Sequence, residues 1–517
     1  MKPSRYHVVF IACLILGVFF RFIGLGDKLY SHDEAYTSLK SAGYTGKEFV
    51  EAVSNGKELT ANDISRFLQP AKDRNVLDTI NSIATSEPQL PPLYFVLAHY
   101  WMRIAGYTPA DLRMLSALVS LLAIPGMYWL SQELFQSRRI ALMSTGLISL
   151  APFHILFAQD ARPYSLFAVM ILLSSSSFLI ALRKERYLYW GMYSMSIIIG
   201  IYTHLFFALI VMAHAAYLLA NQGTIKKGAF IRFLFASLLA LLAFTPWLLQ
   251  ILIYFGPLTR GLAWVTQAVP FPLRIKGWTL IFASPFLDIN LSLSNVVLVL
   301  LRLPVIILIG YAIVFLVTRT PRRVWSFLLL LVGFYTIPFF LWDFVRGGTL
   351  TIIGRYFVGL NVATIPIVAY LLADKIGVEN EKKPLKWLLI SSLLILSQIF
   401  SNFNSLGSET WWNKNLSWNR PEIVDILNQS DRPLLIMYGK SSTDIGDLLA
   451  FSLMVNKDVR FQMYLEPVVV ELSGDYKDIY LYHLSNADFI KSNTGKLFET
   501  TEIVGGRLWQ VNYPDDP

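Results

Sequence analysis

One cysteine, Cys13, is the only thiol in 517 residues, so the chain can form no internal disulfide. Charge is scarce as well: Asp, Glu, Lys and Arg make up 15% of the residues, against 55% hydrophobic and 14% aromatic, at a mean hydropathy of +0.50. A soluble chain of this length does not carry so little charge beside so much apolar surface, which leaves a polytopic membrane protein. The net charge of +9 could suggest nucleic acid. Yet Lys and Arg fall in short loops between apolar runs rather than along one face, so they read as topology signals. The flank of the first run, Arg21 to Gly26, lacks a small-residue cleavage pattern, which argues for a retained span over a signal peptide.

Apolar runs near the ~20 residues needed to cross a bilayer lie at 7–26, 112–135, 140–158, 163–182, 229–252, 296–317, 324–342, 355–373 and 386–402. The stretch from Leu188 to Ala220 is too long for one helix and carries Thr203-His204 in its middle, which predicts a hairpin of two short ones. The total is about eleven spans. Residues 91–106 are apolar but short and contain His99 and Arg103, so charge balance decides their role. If they lie at the interface and the N-terminus is inside, seventeen basic residues face the cytoplasm: Lys2, Arg5, Arg138, Arg139, Arg183, Lys184, Arg186, Lys226, Lys227, Arg232, Arg319, Arg322, Arg323, Lys375, Lys382, Lys383 and Lys386. Six fall on short outer loops: Arg162, Arg260, Arg274, Lys276, Arg346 and Arg355. Counting residues 91–106 as a span would reverse every later loop and break the positive-inside rule.

The outer face then holds a first loop over 27–106 with juxtamembrane helices, a loop over 254–295, and a polar tail from 404. The expected division is a transmembrane domain at 1–403 and a small extracytoplasmic α/β domain at 404–517. In the tail, helix-like Pro421–Gln429 and Asp444–Val455 alternate with strand-like Pro433–Tyr438, Ile479–His483 and Arg507–Tyr513. The tail carries no metal or nucleotide motif.

Polar residues at outer helix ends are the candidates for chemistry, because ionisable groups near lipid are costly and are kept for a purpose. They are Asp33-Glu34 after the first span, Gln159-Asp160-Ala161-Arg162-Pro163-Tyr164 at the next outer turn, Thr203-His204 at the following one, and Arg355-Tyr356 entering a late helix. Soluble nucleotide-activated donors are not expected outside the cytoplasm, so group transfer there would draw on a donor anchored in the lipid, such as a sugar on a polyprenyl monophosphate. A carboxylate within reach of an acceptor hydroxyl can serve as base, and Arg offers paired donors to the leaving phosphate. Such a leaving group needs no divalent metal in principle, and single displacement would invert the anomeric carbon.

The order of these strings resembles the GT-C superfamily of membrane glycosyltransferases, in particular family 39 and the branch with protein O-mannosyltransferases and aminoarabinose transferases. The resemblance rests on Asp33-Glu34, Pro91-Pro92-Leu93-Tyr94-Phe95, Leu112-Arg113-Met114-Leu115-Ser116-Ala117, Ser149-Leu150-Ala151-Pro152-Phe153-His154, the Gln159–Tyr164 string, Tyr202-Thr203-His204 and Gly354-Arg355-Tyr356. It implies a base at Asp33, a second acidic site residue at Asp160, and phosphate ligation by nearby basic residues; Glu34, beside Asp33, would orient the loop or an acceptor. Many relatives carry a His or charged residue directly before Pro-Pro. Here that position is Leu90, with Glu87 three residues earlier, so no metal ligand is assigned.

Catalysis is thus expected from Asp33 and Glu34, and substrate binding from Glu87, Asp160, Arg162, Tyr164, His204, Arg355 and Tyr356. The expected partners are a polyprenyl-phosphate sugar, a lipid, glycan or protein acceptor, and membrane lipid, but no nucleic acid. The expected location is a bacterial plasma membrane, with the N-terminus cytoplasmic and the tail outside.

Structural readings stand beside each residue. Asp33 could cap a helix, Asp160 could pair with Arg162, His204 could be a satisfied hairpin histidine, Arg355 could snorkel, and His154 suits packing. Trp190, Trp247 and Trp342 read as an interfacial belt. A transporter or lipid flippase is the alternative function. Transporters, however, concentrate ionisable residues at the bilayer midplane, and these spans are nearly uncharged there.

Overall fold

The computed structural model describes residues 5–256, 259, 263–289, 295–376, 385–438, 442–465, 476–482 and 499–512. Lys2, Arg260, Lys382, Lys383, His483 and Tyr513, used in the expectations above, lie outside the described residues. The chain divides into two compact units, one of Met1–Leu25, Glu87–Tyr94 and Arg113–Ser408, the other of Gly26–Ser86, Phe95–Leu112 and Glu409–Pro517. The last change of unit along the chain falls after Ser408. Most of the first loop clusters with the C-terminal segment.

The first unit is helical throughout. Helices stand at every position where a span is expected, but fewer cross on length and apolarity alone. Seven described helices do so: Pro109–Phe135, Tyr164–Lys184, Gly228–Ile253, Val296–Arg319, Arg322–Arg346, Gly354–Ile376 and Leu385–Leu406. The Arg138–Leu150 and Pro152–Ala158 helices make an eighth if taken as one span bent by 53°. The bend has a local cause, since Pro152 brings no N–H to continue the ladder. The Leu188–Ala220 stretch breaks as expected into Tyr187–Thr203 and Phe207–Ala220, with His204 at the break.

Two helices form the centre. The apolar windows of Gly354–Ile376 and Tyr164–Lys184 are 89% and 78% buried, against 22–33% for Gly228–Ile253, Val296–Arg319, Arg322–Arg346 and Leu385–Leu406. Leu, Phe and Ile cover the outer faces of these four, as lipid contact requires. Trp190 and Trp247 depart from the expected belt: both are 4% exposed, and the Trp247 indole donates to the Pro88 carbonyl at 3.0 Å. Trp342 is exposed. Close approach at the N-terminal helix depends on Gly17, where an added Cβ would stand 2.4 Å from the Ser149 carbonyl oxygen.

The second unit is built on a six-stranded sheet. Its strands are β1 (Leu59–Thr60), β2 (Pro433–Tyr438), β3 (Arg460–Tyr464), β4 (Asp478–Tyr482), β5 (Glu499–Val504) and β6 (Leu508–Asn512), in the order β1-β3-β2-β4-β6-β5. β3, β2 and β4 run parallel, while β1, β6 and β5 pair antiparallel. The Ser442–Phe451 helix connects β2 to β3, the crossover that a parallel pair demands. The expected helices and strands of the tail are all present, and β3 and β5 are additional.

The first loop completes this unit. β1 supplies an edge strand, and Leu39, Phe49, Ile64 and Phe67 share one core with Leu427, Leu435, Phe451 and Phe461. The Leu93–Ala105 helix, expected at the interface, has 13 residues, short of the ~20 needed for a span.

Candidate active site

Asp33 and Glu34 lie in the first turn of the His32–Ser41 helix, where the unpaired N–H groups and the macrodipole favour carboxylates. Successive helix residues point about 100° apart, and here that turns the two acids to different surroundings. Glu34 is fully buried. Its Oε2 accepts from the Ser31 N–H and hydroxyl at 3.0 and 3.1 Å, while the Glu34 N–H donates to Ser31 Oγ, forming a reciprocal capping box. The Lys414 ammonium closes on the same oxygen. Asp33 keeps 26% of its side chain exposed, 3.8 Å from His32 Nε2. The pair expected to act in catalysis thus divides: Asp33 remains accessible, and Glu34 holds the helix start.

The remaining candidates belong to the first unit. In the turn between Pro152–Ala158 and Tyr164–Lys184, the Gln159 amide donates to the Phe20 and Ile23 carbonyls, both at 2.8 Å, and the Arg162 N–H closes onto the Asp160 carbonyl at 2.7 Å. Asp160, Arg162 and Tyr164 are buried. Ser116 donates to the Arg162 carbonyl at 3.4 Å and bonds Tyr94 at 2.6 Å, so the Pro-Pro-Leu-Tyr string and the Leu-Arg-Met-Leu-Ser string meet behind this turn.

His204 stands opposite, with its ring stacked on Phe167 at 4.6 Å and 6.2 Å from Tyr164. Its Nδ1 accepts the Phe206 N–H at 3.2 Å, which requires the other ring nitrogen to carry the proton while the ring is neutral. Phe206 continues the chain of contacts, 5.1 Å from His204 and 5.2 Å from Tyr356. The Arg355 guanidinium lies 5.8 Å from the Tyr356 ring and 6.0 Å from Trp264. His204 is within electrostatic reach of both Arg162 and Arg355.

Buried Asp343 fixes the approach to Arg355. Its carboxylate accepts from the Leu350 and Thr351 N–H groups at 3.1 and 2.7 Å and from the Thr351 hydroxyl at 2.6 Å. Glu87 is half-buried in a turn whose carbonyl accepts the Leu90 N–H at 2.9 Å. Among the described residues no three His, Cys, Asp or Glu gather as a metal site.

Within the first unit, then, a run of contacts leads from Arg162, 6.0 Å from the Tyr164 ring, through His204 and Phe206 to Tyr356 and Arg355, with Asp160 in the turn before Arg162. Such a set can receive a phosphate monoester through forked, charge-assisted donors. Sequence reasoning missed Phe206, Trp264, Asp343 and Lys414. Nothing in their spacing singled them out.

Residues 89–249 match the family model described as dolichyl-phosphate-mannose-protein mannosyltransferase. By sequence, no curated protein matches the chain. Among solved structures it is similar to ArnT from Cupriavidus metallidurans bound to undecaprenyl phosphate, at 13% identity and a TM-score of 0.54, over 99% of this chain and 98% of that one. It is similar also to the Archaeoglobus fulgidus oligosaccharyltransferase in complex with zinc and sulfate, at 12% identity and a TM-score of 0.51, over 92% and 68%. Of that enzyme's apo form the chain spans 64%. The chain is thus a polytopic membrane protein that is similar to the protein mannosyltransferases over residues 89–249 and shares the fold of ArnT over nearly its whole length.

Proposed function

We propose that the chain transfers a sugar from a polyprenyl-phosphate carrier to an acceptor hydroxyl at the outer surface of the membrane, by a single inverting displacement. The observation that carries this reading is the run of contacts that leads from Arg162 over Tyr164, through His204 and Phe206, to Tyr356 and Arg355. Two fixed cations in a half-dry site suit a phosphate that gains charge as its glycosidic bond breaks. Asp33 supplies the base. Its carboxylate takes the proton of the acceptor hydroxyl, the acceptor oxygen bonds to the anomeric carbon, and the carrier phosphate departs with the electron pair of the broken bond.

Arg162 and Arg355 offset the charge that the phosphate acquires, so the step draws on side-chain cations rather than a metal. Tyr164 and Tyr356 frame the donor beside them, and Asp160 sets the turn that carries Arg162. ArnT, which shares the fold, was solved with undecaprenyl phosphate, and a lipid carrier of that class is the donor this reading requires.

The test is transfer by the purified chain in detergent, where no gradient exists, from a panel of polyprenyl-phosphate sugars. Asp33→Asn should abolish turnover while binding of the polyprenyl phosphate persists. Turnover retained in that variant would remove Asp33 from the mechanism, and a transporter would give no transfer from any donor.

A further inference from the structure

Three contacts bind the start of the His32–Ser41 helix to the C-terminal segment, and all lie inside the second unit. The first is the ion pair of Glu34 with Lys414, whose side chains are 0% and 1% exposed. The chain kinks at Lys414, within the turn Trp412–Ser417. Two ions are removed from water there, a cost recovered only when geometry and further hydrogen bonds are good. The further bonds come from Ser31, so the ammonium is fastened to the cap of the helix rather than to a loose side chain.

The second contact is the guanidinium of buried Arg420. It donates to the Tyr30 carbonyl just ahead of that cap, donates to Ser417 Oγ at 2.8 Å, and pairs with buried Asp447. Asp447 in turn accepts the Tyr482 hydroxyl at 2.6 Å, which ties the arrangement to β4. The third contact is steric. Gly446 of the Ser442–Phe451 helix lies so close to the first turn that an added Cβ would stand 2.7 Å from the His32 Cβ and 3.1 Å from the Tyr36 ring. Residues 30–36 are therefore held from three elements at once, and Asp33 is the accessible acid among them.

We propose that Lys414, Arg420, Gly446 and Asp447 form a positioning clamp for Asp33, with Lys414 as its principal positioning residue acting through Glu34. This inference rests on the reading of Asp33 as the base. A clamp at this point matters to rate because a carboxylate base must sit within hydrogen-bond reach of the hydroxyl it deprotonates. A displacement of about 1 Å can cost on the order of 10²-fold. Removing the ammonium alone takes a positive charge from beside a buried carboxylate, which distorts the cap. Removing both charges together leaves a Gln that still accepts from Ser31 and an unbranched side chain of similar length.

The experiment measures kcat, donor KM and melting temperature of the full chain in detergent, with a polyprenyl-phosphate sugar that the wild type turns over. Lys414→Met should lower kcat by roughly 10²-fold with donor KM within about twofold of wild type. The double variant Glu34→Gln with Lys414→Met should recover most of that loss. Gly446→Ala, which deletes no charge and no hydrogen bond, should again lower kcat more than it changes donor KM.

Wild-type kcat in folded Lys414→Met would overturn the clamp. So would losses that follow melting temperature alone across the three variants. If Lys414→Met fails to fold, the double variant and Gly446→Ala decide the matter by the same signature. An active Asp33→Asn variant would overturn the reading of the base and the clamp with it, whereas an inactive one beside an unaffected Lys414→Met would sink the clamp alone.

Discussion

The hydroxyl of Tyr335, on the Arg322–Arg346 helix, donates to the carbonyl of Phe206 at 2.9 Å, inside the break between the two hairpin helices. That carbonyl also accepts the Leu209 N–H at 3.1 Å, so the hydroxyl adds a second bond at the break. Phe206 contacts His204 on one side and Tyr356 on the other, so the bond fixes the piece of chain that spaces the two. Tyr335→Phe should loosen this spacer at a cost of about 1 kcal/mol, the net worth of one hydrogen bond. The expected result is a donor KM raised roughly fivefold or more, with kcat changed less. Donor titration of the purified variant checks it.

Arg21 satisfies carbonyls at the bend of the Arg138–Leu150 and Pro152–Ala158 helices. Its buried guanidinium donates to the Gly17, Ser149 and Ile148 carbonyls at 2.7, 2.6 and 3.3 Å and to Ser120 Oγ at 3.1 Å. The Ile148 and Ser149 carbonyls belong to the last turn before the bend at Pro152, where helical donors run out. Arg21→Met should therefore destabilise the first unit by about 3 kcal/mol or more, since several bonds to a charged donor vanish together. A melting curve of the solubilised protein would register this as a lower transition temperature. An unchanged curve would mean that water replaces the guanidinium.

His99 gives the second unit a pH dependence. The ring is 3% exposed; Nδ1 meets the Ser41 carbonyl at 2.8 Å and Thr79 Oγ1 at 3.0 Å, and Nε2 accepts from Arg103 at 3.2 Å. Burial foremost, with the Arg103 charge, holds its pKa below the ordinary 6.5, against the opposing pull of the Ser41 carbonyl and Asp78. The folded state thus resists a proton that the unfolded chain accepts. Stability should be unaffected above pH 6.5 and fall as pH drops below it. Melting between about pH 7.5 and about pH 5.5 should show the decline, and His99→Gln should flatten it.

Much of the membrane part was legible because its signals are local. Apolar length and basic loops located the helices, and Thr203-His204 marked the hairpin break. The roles of Glu34 and Lys414 were not legible. They lie 380 positions apart, and no periodicity joins a carboxylate in a first loop to an ammonium near the C-terminus. The same holds for β1, two residues long, which becomes a strand only because β3 offers it an edge. Isolated polar residues such as Asp343 were silent for a related reason, since a carboxylate that satisfies a loop cannot be told by spacing from one that meets solvent.

The two arginines permit the sharpest test of the phosphate site, because geometry and charge can be separated in them. Arg162 is buried and Arg355 half-buried, so a phosphate between them would be held by forked donors in partly dry surroundings, where such bonds exceed neutral ones about twofold. Lysine keeps the charge and loses the fork, whereas methionine loses both. Binding of unsubstituted polyprenyl phosphate, which needs no acceptor and no turnover, should therefore weaken in the order wild type, Arg→Lys, Arg→Met at each position. A loss of roughly tenfold to a hundredfold is expected for the methionine variants. If lysine binds as weakly as methionine, the fork carries the recognition. If both methionine variants bind as the wild type does, the carrier phosphate sits elsewhere and the run of contacts through His204 serves packing alone.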